Sequence, residues 1–261
     1  MKLENLYKGI MIDIKRKYII SFVGSGGNTT LIFNLAEELK KLGKKVIITT
    51  TTNMFICEKY FLPINDLTEI KRNLDIHSIT VIGKPVNNKK FTALENINYN
   101  ELLALCDFVL IESDGSKRLP LKVPADYEPV IADGTDIIVG VSGIDSIGKT
   151  INEACHRKEL VCSFFNTDEE HIISENDIAK ILSDGNGTMK GLRELDEKRV
   201  SEGKGKVTYV AVINKCDTDE FLKRGEIIGA LWEEKKINNL ITSFKEWTKG
   251  RNNDINKRSW R

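Results

Sequence analysis

The chain has 261 residues, 41% of them hydrophobic, with 39 basic and 38 acidic side chains and a net charge of +1. That length holds one sizeable α/β core, and the charge balance excludes a whole-molecule electrostatic drive toward nucleic acid or an anionic membrane. No run is apolar enough to span a bilayer, "MKLENLYKGIMIDIKRK" lacks the pattern of a signal peptide, and five scattered cysteines fit a reduced cytoplasmic protein.

"YIISFV" is a short apolar run ending in glycines, as a buried parallel strand would. "GSGGNTT" follows. Gly24, Ser25, Gly26 and Gly27 would let backbone N–H groups curl around phosphate oxygens, at the start of a helix carrying Asn28, Thr29 and Thr30. Thr29 stands where a phosphate loop places its Mg²⁺-ligating hydroxyl. The full motif fails twice: Phe22 occupies the first glycine position and Asn28 the lysine position. The alternative is a glycine-rich turn without a ligand. The spacing of Leu31, Ile32, Leu35, Leu39 and Leu42 predicts a helix ending at Gly43, and "KVIITT" is a second strand, completing a right-handed βαβ unit.

Further apolar runs are "SITVIG", "DFVLIE", "DIIVGV", "VTYVAVIN" and "NNLITSF", with helical patterns such as "NYNELLALC" and "EFLKRGEIIGALWEEKK" between them. This alternation predicts a doubly wound, mostly parallel α/β sheet. The threonines of "ITTTTNMF" would place Thr51 or Thr52 near phosphate or Mg²⁺, or simply serve the strand. "FVLIESDG" ends a strand in Glu112, with Gly115 three residues on. Glu112 would hold Mg²⁺, Asp114 would add a carboxylate for the metal or an attacking water, and Gly115 would pass close to a terminal phosphate. Lys117, Arg118 and Lys122 add positive charge that could stand in for the missing lysine. The alternative is an acidic strand end and a solvated turn.

Residues 150–206 are charged and largely helical, and read as an insertion; Ser174 is a helix cap. Cys155, His156 and Cys162 lack a metal-site spacing. "NKCD" follows a strand and matches the N-K-x-D pattern. Asp217 would accept from guanine N1–H and its 2-amino group, Lys215 would lie over the base, and Asn214 would fix the loop. Adenine would leave the carboxylate unpaired. "TSFK" could add a backbone contact. The main domain would run over 1–246, and 247–261 would be a basic flexible tail.

Taken together, "VGSGGNTT", "TTTTNMF", "ESDGSKRLPLKVPADYEPVI", "IVGVSGIDSIGK", "CHRKEL" and "VINKCD" resemble the YqeC-type family in order and spacing, over nearly the whole chain before the tail. The resemblance implies a P-loop NTPase-like protein, from the branch that includes metallocentre-maturation GTPases. It further implies an accessory factor for a selenium-dependent molybdenum hydroxylase. GTP or GDP with Mg²⁺ would be the cofactors, and a client hydroxylase or its maturation factors the partner. Many such switches work as dimers, so a homodimer is an expectation too. The family's loop carries lysine where this chain has Asn28, which leaves a second reading open, a non-hydrolysing nucleotide-dependent scaffold. A third reading is a selenium or sulfur transferase using Cys216 or Cys57. In the phosphate-loop reading, a lysine restored at position 28 would favour the triphosphate over the diphosphate.

Overall fold

Short apolar runs bounded by turn residues cannot bury themselves alone; they pair into a sheet with helices on both faces. The computed structural model describes residues 5–63, 66–115 and 117–244. Its central sheet contains β1 (Tyr18–Gly24), β2 (Val46–Thr50), β3 (Phe61–Leu62), β4 (Ile79–Ile82), β5 (Phe108–Glu112), β6 (Ile137–Gly143), β7 (Thr208–Asn214) and β8 (Asn238–Ile241). The spatial order is β8-β7-β6-β1-β5-β2-β4-β3, and every neighbouring pair is parallel. The fold is the expected doubly wound α/β sheet. The chain first winds from β1 toward β2, and after β5 it winds toward β6. The order therefore reverses at β1, and the crevice beyond the carboxyl ends of β1, β5 and β6 is where such sheets hold ligands.

Strand periodicity divides the core. Ile20, Phe22 and Leu110 face the helix Asn28–Lys41 and meet its Leu31, Leu35 and Leu39. Ile19, Ile47 and Val109 face the other way, onto Ile70, Leu74 and Leu102 of the helices Leu67–His77 and Tyr99–Leu105. Beside them, Val23, Ile138, Ala211 and Ile213 pack with Ile178, Ile181 and Trp232 of the helices Glu175–Ser183 and Asp219–Glu234. The Trp232 indole N–H donates to the Ala179 carbonyl at 3.1 Å, so this large ring is buried without an orphaned donor.

Residues 150–206 carry the connection from β6 to β7 through the helices Ile151–Ala154, Lys158–Phe165, Glu175–Ser183 and Leu192–Ser201. Capping boxes start two of them, Thr150 with Glu153 and Ser174 with Asp177. Arg199 ties the last helix to the sheet. Its guanidinium donates to Asp136 Oδ1 at 3.0 Å, and Asp136 Oδ2 accepts from the Ile19 N–H at 2.9 Å.

Two small sheets escaped the sequence reading, because strands of two to four residues are too short for a periodic signal. Lys90–Thr92 pairs antiparallel with Asn53–Phe55 and with Lys84–Asn87. Leu121–Lys122 pairs parallel with Cys155–His156. Among the described residues no helix is long and apolar enough to cross a membrane. The tail expected at 247–261 and Lys245 of "TSFK" lie outside the described residues.

Candidate functional site

β1 delivers the chain to the crevice, and three glycines turn it. Gly24, Gly26 and Gly27 have φ of +88°, +84° and +123°. Space is as restrictive as conformation: a Cβ on Gly26 would lie 2.1 Å from Gly143 N, and one on Gly27 2.5 Å from Asn214 Nδ2. Among the described residues no acceptor takes the N–H groups of Gly26, Gly27, Asn28 or Thr29, which open the helix Asn28–Lys41. Such free donors at a helix start favour an anion.

β5 lies directly beside β1, with Phe22 in register with Glu112. Thr29 and Glu112 therefore meet: the Thr29 hydroxyl is 3.1 Å from both carboxylate oxygens. Burial pushes the Glu112 carboxyl up to about 8, against the Thr29 hydrogen bond and helped by the negative charge of Asp114. Among the described residues Glu112 has no basic side chain as an ion-pair partner. A buried carboxylate without a counter-cation, next to a hydroxyl and a row of free N–H groups, suits a hard cation that arrives with its own phosphate oxygens. No group of three or more His, Cys, Asp or Glu could hold a metal by itself among the described residues. The donor set thus fits Mg²⁺ as Mg²⁺ is usually bound, through one or two protein oxygens beside phosphate and water.

Asn28 is 5% exposed, and its amide points inward. Nδ2 donates to the Gly24 carbonyl at 3.2 Å and to the Asp114 carbonyl at 3.4 Å. The side chain at the lysine position therefore has its amide donors committed within the chain. Asp114 Oδ2 accepts from the Gly24 N–H at 3.2 Å, and Asp114 Oδ1 from Lys122 Nζ. Lys122 is 1% exposed and also donates to the Gly115 carbonyl at 3.0 Å and to Glu128 Oε2 at 2.8 Å. Arg157 closes the chain of charges on Glu128, through Nη1 to Oε2 and through Nη2 to Oε1 at 2.9 Å. Burial raises the Asp114 carboxyl to about 6, with Lys122 opposing. Burial also acts against ionisation of Glu128, but the Arg157 and Lys122 hydrogen bonds bring it down to about 2. His156 lies in register with Lys122 and is nearly buried. Burial, then the charges of Lys122, Arg157 and Lys117, hold its imidazole below the usual range.

The turn after β7 reaches the same crevice. Asn214 Nδ2 donates to the Gly26 carbonyl at 3.0 Å, joining this turn to the glycine loop across 188 residues of sequence. Thr242 Oγ1 donates to Asn214 Oδ1 at 2.9 Å, and Ser243 Oγ donates to Asp217 Oδ1 at 2.7 Å, so the segment after β8 props the turn. Lys215, in left-handed backbone with φ 67°, pairs with Asp145 at 2.8 Å. Asp217 is exposed.

Other residues singled out in the sequence take supporting places. Thr51 Oγ1 donates to the Val130 carbonyl at 2.8 Å, and the Thr52 N–H donates to Thr50 Oγ1 at 3.0 Å, while Thr50 Oγ1 itself donates to the Glu112 carbonyl at 2.7 Å. Arg118 lies over the Phe55 ring at 4.8 Å, while Lys117 is exposed. Cys216 is buried, and burial pushes its thiol up to about 12; the Cys57 thiol is also raised by burial. Glu128, Arg157 and Asp145, which border this crevice, were not singled out in the sequence, and His156 was weighed there only as a metal ligand. Their only sequence signal was their presence in the long stretches "KVPADYEPVI", "CHRKEL" and "GIDSIGK".

The family model described as "YqeC protein" matches residues 20–159. A protein of Escherichia coli (strain K12), described as "Uncharacterized protein YqeC", is 30% identical over 222 residues, covering 80% of this chain and 82% of that protein. A solved structure described as "Partition Protein" aligns with a TM-score of 0.44 at 11% identity, over 94% of this chain and 69% of that one.

Proposed function

The chain belongs to the YqeC family, and from that premise we propose that it is a guanine-nucleotide-binding accessory protein that assists maturation of a selenium-dependent molybdenum hydroxylase. The observation that carries nucleotide binding is the junction of two distant segments. The glycine loop and the 214–217 turn share the Asn214–Gly26 hydrogen bond, and Thr29 meets Glu112 beside them. Free N–H groups would receive phosphate, and Asp217, an exposed carboxylate at the rim, would receive the base. Thr29 and Glu112 would hold Mg²⁺, which on binding would offset phosphate charge. Asp114 and Gly115 would lie against the terminal phosphate, with Asp114 orienting a water. The hydroxylase client follows from the family resemblance alone.

A second reading is a nucleotide-dependent scaffold that does not hydrolyse. It is favoured by Asn28, whose amide is spent on two carbonyls, and by Asp114, whose two carboxylate oxygens are already engaged. The raised thiols of Cys216 and Cys57 favour both readings over thiolate-based transfer.

Calorimetric titration with GTP, GDP and ATP, with and without Mg²⁺, tests the proposal. Preference for guanine nucleotides, tightened by Mg²⁺, is expected; no binding of any of them would overturn it. Single-turnover hydrolysis of bound GTP then separates the two readings.

A further inference from the structure

A phosphate site needs outward N–H groups, and it equally needs carbonyl oxygens turned away, since a carbonyl facing the anion repels it. The carbonyls of Gly24, Asp114 and Gly115 border the crevice, and each is bonded inward by a side-chain donor. Asn28 Nδ2 takes the carbonyls of Gly24 at 3.2 Å and Asp114 at 3.4 Å, and Lys122 Nζ takes that of Gly115 at 3.0 Å. The same two side chains hold Asp114 from opposite ends. Asn28 bonds its main chain and Lys122 its carboxylate, while the remaining carboxylate oxygen accepts from the Gly24 N–H. Among the described residues Asn28 Oδ1 is buried without a partner. A rotated amide would set an oxygen against two carbonyl oxygens, so the observed orientation is the one that bonds. Lys122 reaches this place only because the Leu121–Lys122 strand pairs with Cys155–His156, which sets its side chain under the loop. Both residues are almost fully buried, so neither is a solvated side chain that happens to be nearby.

We propose that Asn28 and Lys122 together do the work of the missing phosphate-loop lysine as positioning residues. Asn28 withdraws the loop carbonyls and locks the 114–115 segment onto the glycine loop. Lys122 places a fixed positive charge beneath Asp114 and Gly115, where it offsets the Asp114 carboxylate. On this assignment Asn28 is a clamp rather than a weakened lysine. The inference rests on the nucleotide reading but goes beyond it, and it reverses the sign of one substitution. If Asn28 were a vacated lysine position, Asn28→Lys would tighten polyphosphate binding. If Asn28 is a clamp, lysine loses one of two carbonyl bonds and disturbs Asp114, and binding weakens.

The test uses inorganic pyrophosphate, GDP and GTP as probes, each with Mg²⁺, in calorimetric titrations of the full chain and of Asn28→Lys, Asn28→Ala, Lys122→Arg and Lys122→Met. The expected result is weaker pyrophosphate and GTP binding by Asn28→Lys and Asn28→Ala, by about tenfold or more, with the larger loss for the ligand of higher charge. Lys122→Arg, which keeps the charge, should bind more tightly than Lys122→Met. Circular dichroism melting controls for folding. Should Lys122→Met fail to fold, the Asn28 pair still decides, because its readout is the sign of the affinity change. Tighter binding by Asn28→Lys, or unchanged binding by Asn28→Ala, would overturn the inference and leave the nucleotide reading standing. A parent chain that binds none of the three probes would overturn both.

Discussion

Asp217 and Glu112 show how one side chain sets what a site accepts. Asp217 is exposed and braced on one oxygen by Ser243, and among the described residues the other oxygen has no partner. Asp217→Asn replaces an acceptor with a donor and should reduce GDP affinity at least tenfold while narrowing the GTP-to-ATP ratio. Equal affinity of the parent for ATP and GTP would contradict the role. Glu112 gives a pH signature. Its folded carboxyl is raised from the ordinary 4.5 to about 8, so between those values the folded chain holds a proton that the unfolded chain releases. Stability of the ligand-free chain should therefore fall as pH rises from about 4.5 to about 8. Glu112→Gln should flatten that stretch in urea denaturation and at the same time remove Mg²⁺ enhancement of GTP binding. A parent whose urea midpoint rises over the interval would argue against the buried, proton-holding state.

At the scale of elements, the glycine loop and the capped helices make separable predictions. The loop tolerates no side chain at Gly26, where φ is +84° and the Gly143 backbone lies 2.1 Å from a Cβ. Gly26→Ala should displace the loop from β6 and abolish pyrophosphate binding. Preserved binding would show that the loop is not the anion site. The helix Glu175–Ser183 lies away from these contacts and depends on its capping box. Ser174→Ala should cost about 1 kcal/mol in chemical denaturation, with no change in nucleotide affinity. A shift in affinity would instead link this helix to the site.

At the scale of the whole molecule, the sheet holds the site because it is buried on both faces. Ile178, Ile181 and Trp232 share one apolar cluster with β1, β6 and β7. Trp232 is fully buried, and Trp232→Ala should cost about 3–5 kcal/mol from lost contacts and the remaining cavity. Thermal melting would measure it. We propose for the same reason that the 150–206 segment cannot be excised without exposing Ile138, Ala211 and Ile213. A soluble, cooperatively melting deletion variant would disprove this.

The strands were legible because each is a short apolar run ended by Gly, Asn, Glu or Thr. The turn from β1 into the helix Asn28–Lys41 was legible because three glycines separate an apolar run from a helical pattern. Both depend on neighbours in sequence, and period-2 and period-3.6 patterns register such neighbours directly. The edge strand Phe61–Leu62 and the two small sheets lay below that signal. The sequence also offered Asn28 as a lysine's replacement and Lys122 as one of three nearby cations. Only tertiary structure turned the Asn28 amide toward Asp114, 86 residues away, and brought Arg157 onto Glu128, 29 residues away. It also buried Lys122 between Asp114 and Glu128 while leaving Lys117 exposed. The physical reason is that a lysine's type and sequence position do not state its solvation. Lys117 and Lys122 read alike along the chain, and only the pairing of Leu121–Lys122 with Cys155–His156 removes one of them from water and gives it carboxylate partners.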